Sequence, residues 1–215
     1  MDKTSDKYYQ YSFLKLEVFS LYNDYKRVIY MDSDGLVIRN LDHLFTLDIR
    51  PYQAGCLNGV AAAWSYGNAL PKTEPPWHLT SSFFVADLTP KLHADFQSAM
   101  LPKNKKKVLT SFANTTKTNG VYDMEIFNFV LDKGRQVFLL PTYYAKFDYY
   151  FHNTNHTHEL AYTFYVHFSS RKPFYHRETK QYETDSEMTK GKSADVRQLF
   201  VSFWTEARLY CPGIT

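Results

Sequence analysis

Only two cysteines, Cys56 and Cys211, occur in the 215 residues, so no disulfide framework organises this chain. The two could pair or could remain buried thiols, and thiols are the reading adopted. Long apolar runs are also missing. No segment approaches the ~20 apolar residues needed to span a bilayer. The richest candidate, Val196 to Tyr210, is broken by Arg197, Gln198, Glu206 and Arg208 and reads as an amphipathic helix. Met1 to Gln10 is polar and charged, so a signal peptide is not expected. An excess of one charge sign is absent as well: 25 Lys and Arg against 22 Asp and Glu leave +3, too mild a balance to imply a nucleic-acid partner. The one dense basic run, Lys103 with Lys105, Lys106 and Lys107, reads as a solvated loop. No internal repeat is visible.

What the chain has in quantity is aromatic residues, 18% of the total, mostly Tyr and Phe. Such an excess builds a large core or supplies faces on which sugar rings stack, and composition does not separate the two. The length fits one domain, or one domain with a tail. Asn114-Thr115-Thr116 and Asn155-His156-Thr157 fit the glycosylation acceptor pattern, which is too short to establish secretion.

Tyr11 to Tyr22 reads as a largely buried helix, with Phe13, Leu14, Leu16, Val18, Phe19 and Leu21 close together. Val28 to Met31 is a short apolar run that suits a buried, parallel strand. Asn40 is placed to cap a short helix over Leu41 to Phe45. A small strand is expected at Gln53 to Leu57, a surface loop at Gly67 to Trp77 and a strand at Ser82 to Leu88. Thr89-Pro90 reads as an N-cap with proline at the first helical position, opening a helix toward Met100. Pro102 to Gly120 reads as an exposed excursion. Asp123 to Asp132 reads as a helix and Val137 to Leu140 as a strand. Phe147 to His158 reads as a loop, Tyr162 to Phe168 as a strand and Arg177 to Ser193 as a polar linker. Strands alternating with helices predict an α/β fold.

The chemistry concentrates where the first strand ends. Arg27-Val28-Ile29-Tyr30-Met31 delivers Asp32-Ser33-Asp34, then Gly35, an apolar stretch and Asn40-Leu41-Asp42-His43-Leu44-Phe45. Ligands of open α/β sheets bind at the carboxyl ends of strands. Two carboxylates spaced i and i+2 can converge there on one hard cation, and Mn2+ or Mg2+ suits oxygen ligands. An isolated Asp-x-Asp is also compatible with a turn cap beside a solvated carboxylate.

The surrounding pattern resembles glycosyltransferase family 8, the glycogenin and galactinol synthase group, over about Ser12 to Phe174. Lys15-Leu16 stands at the family's distance upstream of the strand. Val166-His167-Phe168 followed by Lys172-Pro173-Phe174 is similar to its His-Phe and Lys-Pro-Trp. Asp123-Met124-Glu125-Ile126-Phe127-Asn128 stands at its Asp-Gln-Asp-x-x-Asn, and Thr80-Ser81-Ser82 where it carries Asn-Ala/Ser-Gly. Leu140-Pro141 to Tyr144 matches its Leu-Pro-x-x-Tyr.

The resemblance implies a GT-A-type nucleotide-diphospho-sugar transferase fold: a Rossmann-like mixed sheet flanked by helices, without the family's first strands. Residues 1–176 would be the partial catalytic domain, and 177–215 a polar loop with the amphipathic helix. It implies Asp32, Asp34 and His167 as ligands of Mn2+ (or Mg2+), and Lys172 as the diphosphate contact. Lys15, Ser33, Thr80, Ser81, Asp123 and Glu125 would bind the donor, with Asp123 also the catalytic residue. The partners implied are a UDP-sugar and a carbohydrate, polyol or protein acceptor. A homodimer is one assembly it allows, and the cytoplasm and the Golgi lumen are both open as compartments.

Two other readings remain. Met124 and Thr80 replace family residues near the sugar, which suits a non-catalytic, sugar-binding relic. An apolar strand ending in Asp-x-Asp-Gly also opens haloacid-dehalogenase-type phosphatases, where Asp32 would be nucleophile and Asp34 acid/base. Those enzymes follow the pair with Thr, where this chain has Leu36, and they need a late acidic pair that is not found.

Overall fold

The computed structural model describes residues 11–49, 59–64, 79–112, 121–131, 137–152, 154–169, 175–176, 181–182 and 194–210. The expected strand at Gln53–Leu57, the loop at Gly67–Trp77, Lys172, both cysteines and the first acceptor pattern lie outside these residues. The chain divides into two compact units. The first comprises Met1–Tyr30, Asp42–Ser65 and Pro71–Leu140; the second comprises Met31–Leu41, Tyr66–Leu70 and Pro141–Thr215.

The first unit is built on a mixed four-stranded sheet. Its strands are β1 (Arg27–Met31), β3 (Val60–Trp64), β4 (Leu79–Asp87) and β5 (Val137–Leu140), in the order β1-β4-β3-β5. β3 runs antiparallel to β4 and parallel to β5. β4 is buried over eight successive residues, so both of its faces are covered. β1 is half-buried along its length rather than fully buried as expected. Arg27 fixes its start: the guanidinium forks onto the Asp87 carboxylate at 2.6 and 3.0 Å and also donates to the carbonyls of Leu44, Phe45 and Leu47. A planar fork serves such a bidentate contact where an ammonium would not.

Helix α1 (Pro90–Met100) starts as expected. The Thr89 hydroxyl accepts from the Leu92 N–H at 3.1 Å, and Pro90 occupies the first turn. The basic run expected to be a loop is instead helical, in a 3-10 turn over Pro102–Asn104 and α2 (Lys105–Phe112). Its lysines are exposed, and Val108 alone of its apolar residues is buried among those whose side chains are described. Helix α3 (Asp123–Val130) buries Ile126, Phe127 and Val130.

The expected N-terminal helix is present as a 3-10 helix over Tyr11–Asn23, but it buries one face only. Leu16 and Phe19 enter the core while Tyr11, Leu14 and Leu21 face solvent. The core it joins is aromatic. Phe19 stacks on Phe96 with centroids 4.0 Å apart and on Phe84 at 5.4 Å, and Phe84 meets Tyr30 and Phe127. Much of the aromatic excess is therefore core, each ring contributing about 1.5–3 kcal/mol by burial.

The second unit holds a three-stranded mixed sheet in the order β2-β7-β6, formed by β2 (Gly35–Val37), β6 (Ala145–Phe147) and β7 (Tyr165–His167). β7 is antiparallel to β2 and parallel to β6. A two-stranded pair, β8 (Tyr175–His176) with β9 (Gln181–Tyr182), falls partly within the segment expected to be linker. The Tyr- and His-rich segment expected to be a loop forms 3-10 turns over Asp148–His152 and Thr154–Tyr162. Helix α4 (Ala194–Tyr210) is the expected amphipathic helix, and its Leu199 and Phe200 pack with Tyr150, Phe151, Val166 and Phe168. Among the described residues no helix is long and apolar enough to cross a membrane.

Candidate active site

In the second unit the carboxylates of Asp32 and Asp34 meet the imidazole of His167. One ligand atom from each lies within 4.8 Å of the other two. His167 Nε2 is 3.0 Å from Asp34 Oδ1 and 3.8 Å from Asp32 Oδ2. Antiparallel pairing of Gly35 with His167 brings these residues together across 133 positions of sequence. Phe168 N–H closes the ladder by donating to the Asp34 carbonyl at 2.9 Å.

Gly35 is needed where it stands. A Cβ there would overlap the Tyr165 ring. With the ring against the glycine, the Tyr165 hydroxyl reaches the Asp32 carbonyl and donates to it at 3.0 Å. Beyond β7, Asp148 is fully buried, and its Oδ1 accepts from the Ser169 N–H at 2.8 Å and the Ser169 hydroxyl at 3.3 Å. His167 is thus fixed on both sides, by Tyr165 before it and by the Ser169 anchor after it.

The donor set fits a divalent cation. Two carboxylates and an imidazole are hard or borderline ligands. An octahedral ion with ligands at about 2.1 Å places neighbouring ligand atoms roughly 3.0 Å apart. The Asp34–His167 separation is of that size, which is also a hydrogen-bond distance, and the Asp32–His167 separation of 3.8 Å is longer. His167 Nδ1 is buried and has no hydrogen-bond partner among the described residues, while Nε2 faces the carboxylates. Ser33, between the two aspartates, is exposed.

A second cluster lies within the first unit. Asp123, at the first position of α3, accepts from the Ser81 hydroxyl at 2.6 Å and pairs with Lys15 at 3.0 Å. Three sequence-expected residues from the N-terminal helix, β4 and α3 therefore meet. Thr80 does not join them: its hydroxyl lies 2.6 Å from that of Ser82 and accepts from the Ser82 N–H. Glu125 caps α3, its carboxylate accepting from the Tyr122 N–H at 3.0 Å. Burial pushes the Glu125 carboxyl above its ordinary value, and the charge of Asp123 adds to that, against the opposing backbone hydrogen bonds.

Several residues that hold the two clusters were not singled out from sequence. Asn128 clamps β4 through hydrogen bonds of 2.9 Å to both the N–H and the carbonyl of Leu79, and also donates to the Met124 carbonyl. Its place three residues after Glu125 in the acidic helix motif was the available signal. Tyr165 and Asp148 carry no local signal, since each acts on a residue distant in sequence.

The model of glycosyl transferase family 8 matches residues 1–173. No match was found among curated proteins. Among solved structures, an active-site mutant of LgtC is similar at 15% identity, over 90% of this chain and 66% of its own, with a TM-score of 0.50. The apo structure of WbbM, a bifunctional glycosyltransferase, is similar at 14% identity over 90% of this chain and 37% of its own, also with a TM-score of 0.50. The chain thus spans just under two thirds of LgtC. At such identities these likenesses establish the fold, which is the expected GT-A type. With the family model covering most of its length, the chain belongs to glycosyl transferase family 8.

Proposed function

We propose that this chain is a metal-dependent, retaining transferase that moves a hexose from a UDP-sugar to a hydroxyl of a carbohydrate, polyol or protein acceptor. The observation that carries this reading is the convergence of Asp32, Asp34 and His167 within 4.8 Å in a chain of this family. In this reading the three residues hold Mn2+ (or Mg2+) through carboxylate oxygens and Nε2. A divalent cation bound there supplies positive charge to the diphosphate as UDP departs.

The remaining roles belong to side chains. Asp123, oriented by Lys15 and Ser81, accepts hydrogen bonds from hydroxyls of the donor sugar. Ser33 is exposed beside the carboxylates and contacts the nucleotide. Thr80 and Glu125 shape the walls behind Ser81 and Asp123. Lys172, outside the described residues, is assigned to the diphosphate by its place after His167 in the sequence. No side chain is assigned as a dedicated nucleophile.

The test is UDP release from UDP-glucose, UDP-galactose and UDP-N-acetylglucosamine, each with Mn2+ and again with EDTA. The reading predicts release from at least one donor, its loss in EDTA, and a fall of about 100-fold in Asp123→Asn with Mn2+ affinity unchanged. A folded chain that releases UDP from none of them is instead a non-catalytic, sugar-binding member of the family.

A further inference from the structure

In the second unit Tyr143, Tyr162, Phe164 and Arg39 border a cavity of about 410 Å3. Tyr162 is 67% exposed and Tyr143 41%, so both rings are open to solvent where they border it. Arg39 also borders an adjoining cavity of about 640 Å3, whose wall includes Thr157 and His158. Both volumes lie in the range of small-molecule sites.

The rings rest on a hydrogen-bonded frame. The Phe164 N–H donates to the Tyr143 carbonyl at 2.9 Å, and the Phe164 carbonyl accepts from Ile38 N–H at 2.7 Å and from Arg39 N–H. The Arg39 guanidinium donates to the Ala161 carbonyl, in the turn before Tyr162. Tyr144 stacks on Phe164 with centroids 4.8 Å apart, which backs the platform. The frame therefore extends the β2-β7 ladder at the end opposite His167. Phe164 lies three residues before His167, roughly 10 Å at the ~3.3 Å rise of a strand.

We propose that this platform is a glycan subsite, remote from the reacting centre, that holds the body of an oligosaccharide acceptor. The inference rests on the transferase reading and deepens it by naming the acceptor class. An open ring face takes the C–H side of a sugar, while tyrosine hydroxyls and a guanidinium take its hydroxyls. A wholly apolar partner would leave those polar rims unsatisfied on binding. A polyanion would call for several cations, and among the described residues bordering the first cavity Arg39 is the one cationic side chain. The separation along the ladder favours an extended chain over a monosaccharide.

The test uses saturation-transfer NMR with linear pentasaccharides of α-1,4-glucose, β-1,4-glucose and β-1,4-N-acetylglucosamine, with UDP and Mn2+ titrated in parallel. The expected result is binding of at least one pentasaccharide. Tyr162→Ala and Tyr143→Ala should weaken it about tenfold each, Tyr162→Phe, which keeps the ring and loses the hydroxyl, should weaken it less than Tyr162→Ala, and UDP affinity should stay unchanged. Thermal melts establish that the variants fold, and Tyr162 is exposed enough for its replacement to leave the fold intact. Binding of none of the pentasaccharides by the wild type, or binding unaltered in both alanine variants, would overturn the inference. Pentasaccharide binding that depends on these tyrosines in a chain that fails to bind UDP would support the subsite and overturn the transferase reading instead.

Discussion

The Tyr165 hydroxyl donates to the backbone carbonyl of Asp32 at 3.0 Å, and it can do so because residue 35 has no Cβ to displace the ring. The Tyr165 hydroxyl, through the Asp32 backbone, thereby helps set where the first carboxylate stands. Groups that orient ligands in this way typically account for 10- to 100-fold in metal affinity. Tyr165→Phe, which keeps the ring and removes the donor, is expected to weaken Mn2+ binding about tenfold. Gly35→Ala should weaken it more, because the ring itself must move. Calorimetric Mn2+ titration of both variants checks the order, and equal affinity in all three proteins would contradict it.

The buried Asp148 carboxylate anchors Ser169, two residues beyond His167. Its removal leaves the Ser169 N–H without that acceptor, at a cost of about 1.5–3 kcal/mol for a charge-assisted bond. Asp148→Ala is expected to lower the urea midpoint accordingly. Asp148→Asn, whose amide oxygen can still accept, should recover part of the loss.

Glu159 links three segments of the second unit. It pairs with the buried Lys146 at 2.8 Å, and accepts from Tyr150 at 2.6 Å and from His156 at 3.1 Å, while Lys146 also lies over the Tyr150 ring. Burial by itself would raise this carboxyl. The hydrogen bonds from Lys146, Tyr150 and His156, with the charge of Lys146, together outweigh it and hold the group at about 2, below its ordinary 4.5. A depressed carboxyl stabilises the fold above its unfolded value and ceases to as pH falls through the folded one. Stability should therefore drop between about pH 4.5 and pH 2 by more in the wild type than in Glu159→Gln, as read by melts across that window. Equal slopes would contradict the network.

Glu125 carries the opposite sign. Its raised carboxyl contributes stability below 4.5 that is lost as pH rises through the folded value. A neutral amide retains an oxygen for the Tyr122 N–H without the buried charge. Glu125→Gln should match or exceed the wild-type melting temperature at pH 7, with the difference shrinking at pH 4. A marked loss at pH 7 would show that the charge itself is needed at the helix start.

The parts of this structure legible in sequence are those with local causes. The strand ending in Asp32, the capped helix after Thr89 and the acidic start of α3 each declare themselves within a few residues. The resemblance added His167, whose partner lies 133 positions away. Strand β3 was missed because Val60-Ala61-Ala62-Ala63-Trp64 has weak strand preference, and its place is set by pairing with both β4 and β5. The lysine-rich helix α2 was missed because its run of lysines was read as a solvated loop, although Val108, Leu109 and Phe112 stand at helical spacing. Phe147 to His158 was read as a loop, and Tyr162 as the start of a strand, because the groups that hold the 3-10 turns there, Lys146 with Glu159 and Asp148 with Ser169, join residues that no periodicity connects. For the same reason, Lys15, Ser81 and Asp123 were expected to bind a ligand, yet nothing in the sequence said that they would bind one another.

The central claim is that Asp32, Asp34 and His167 form a metal centre for a nucleoside-diphosphate donor. It is tested most directly by titrating UDP into the folded chain with and without Mn2+, alongside Asp34→Ala. The account predicts binding that requires Mn2+ and is lost in the variant. UDP binding of equal strength without metal, or undiminished by the substitution, would contradict it.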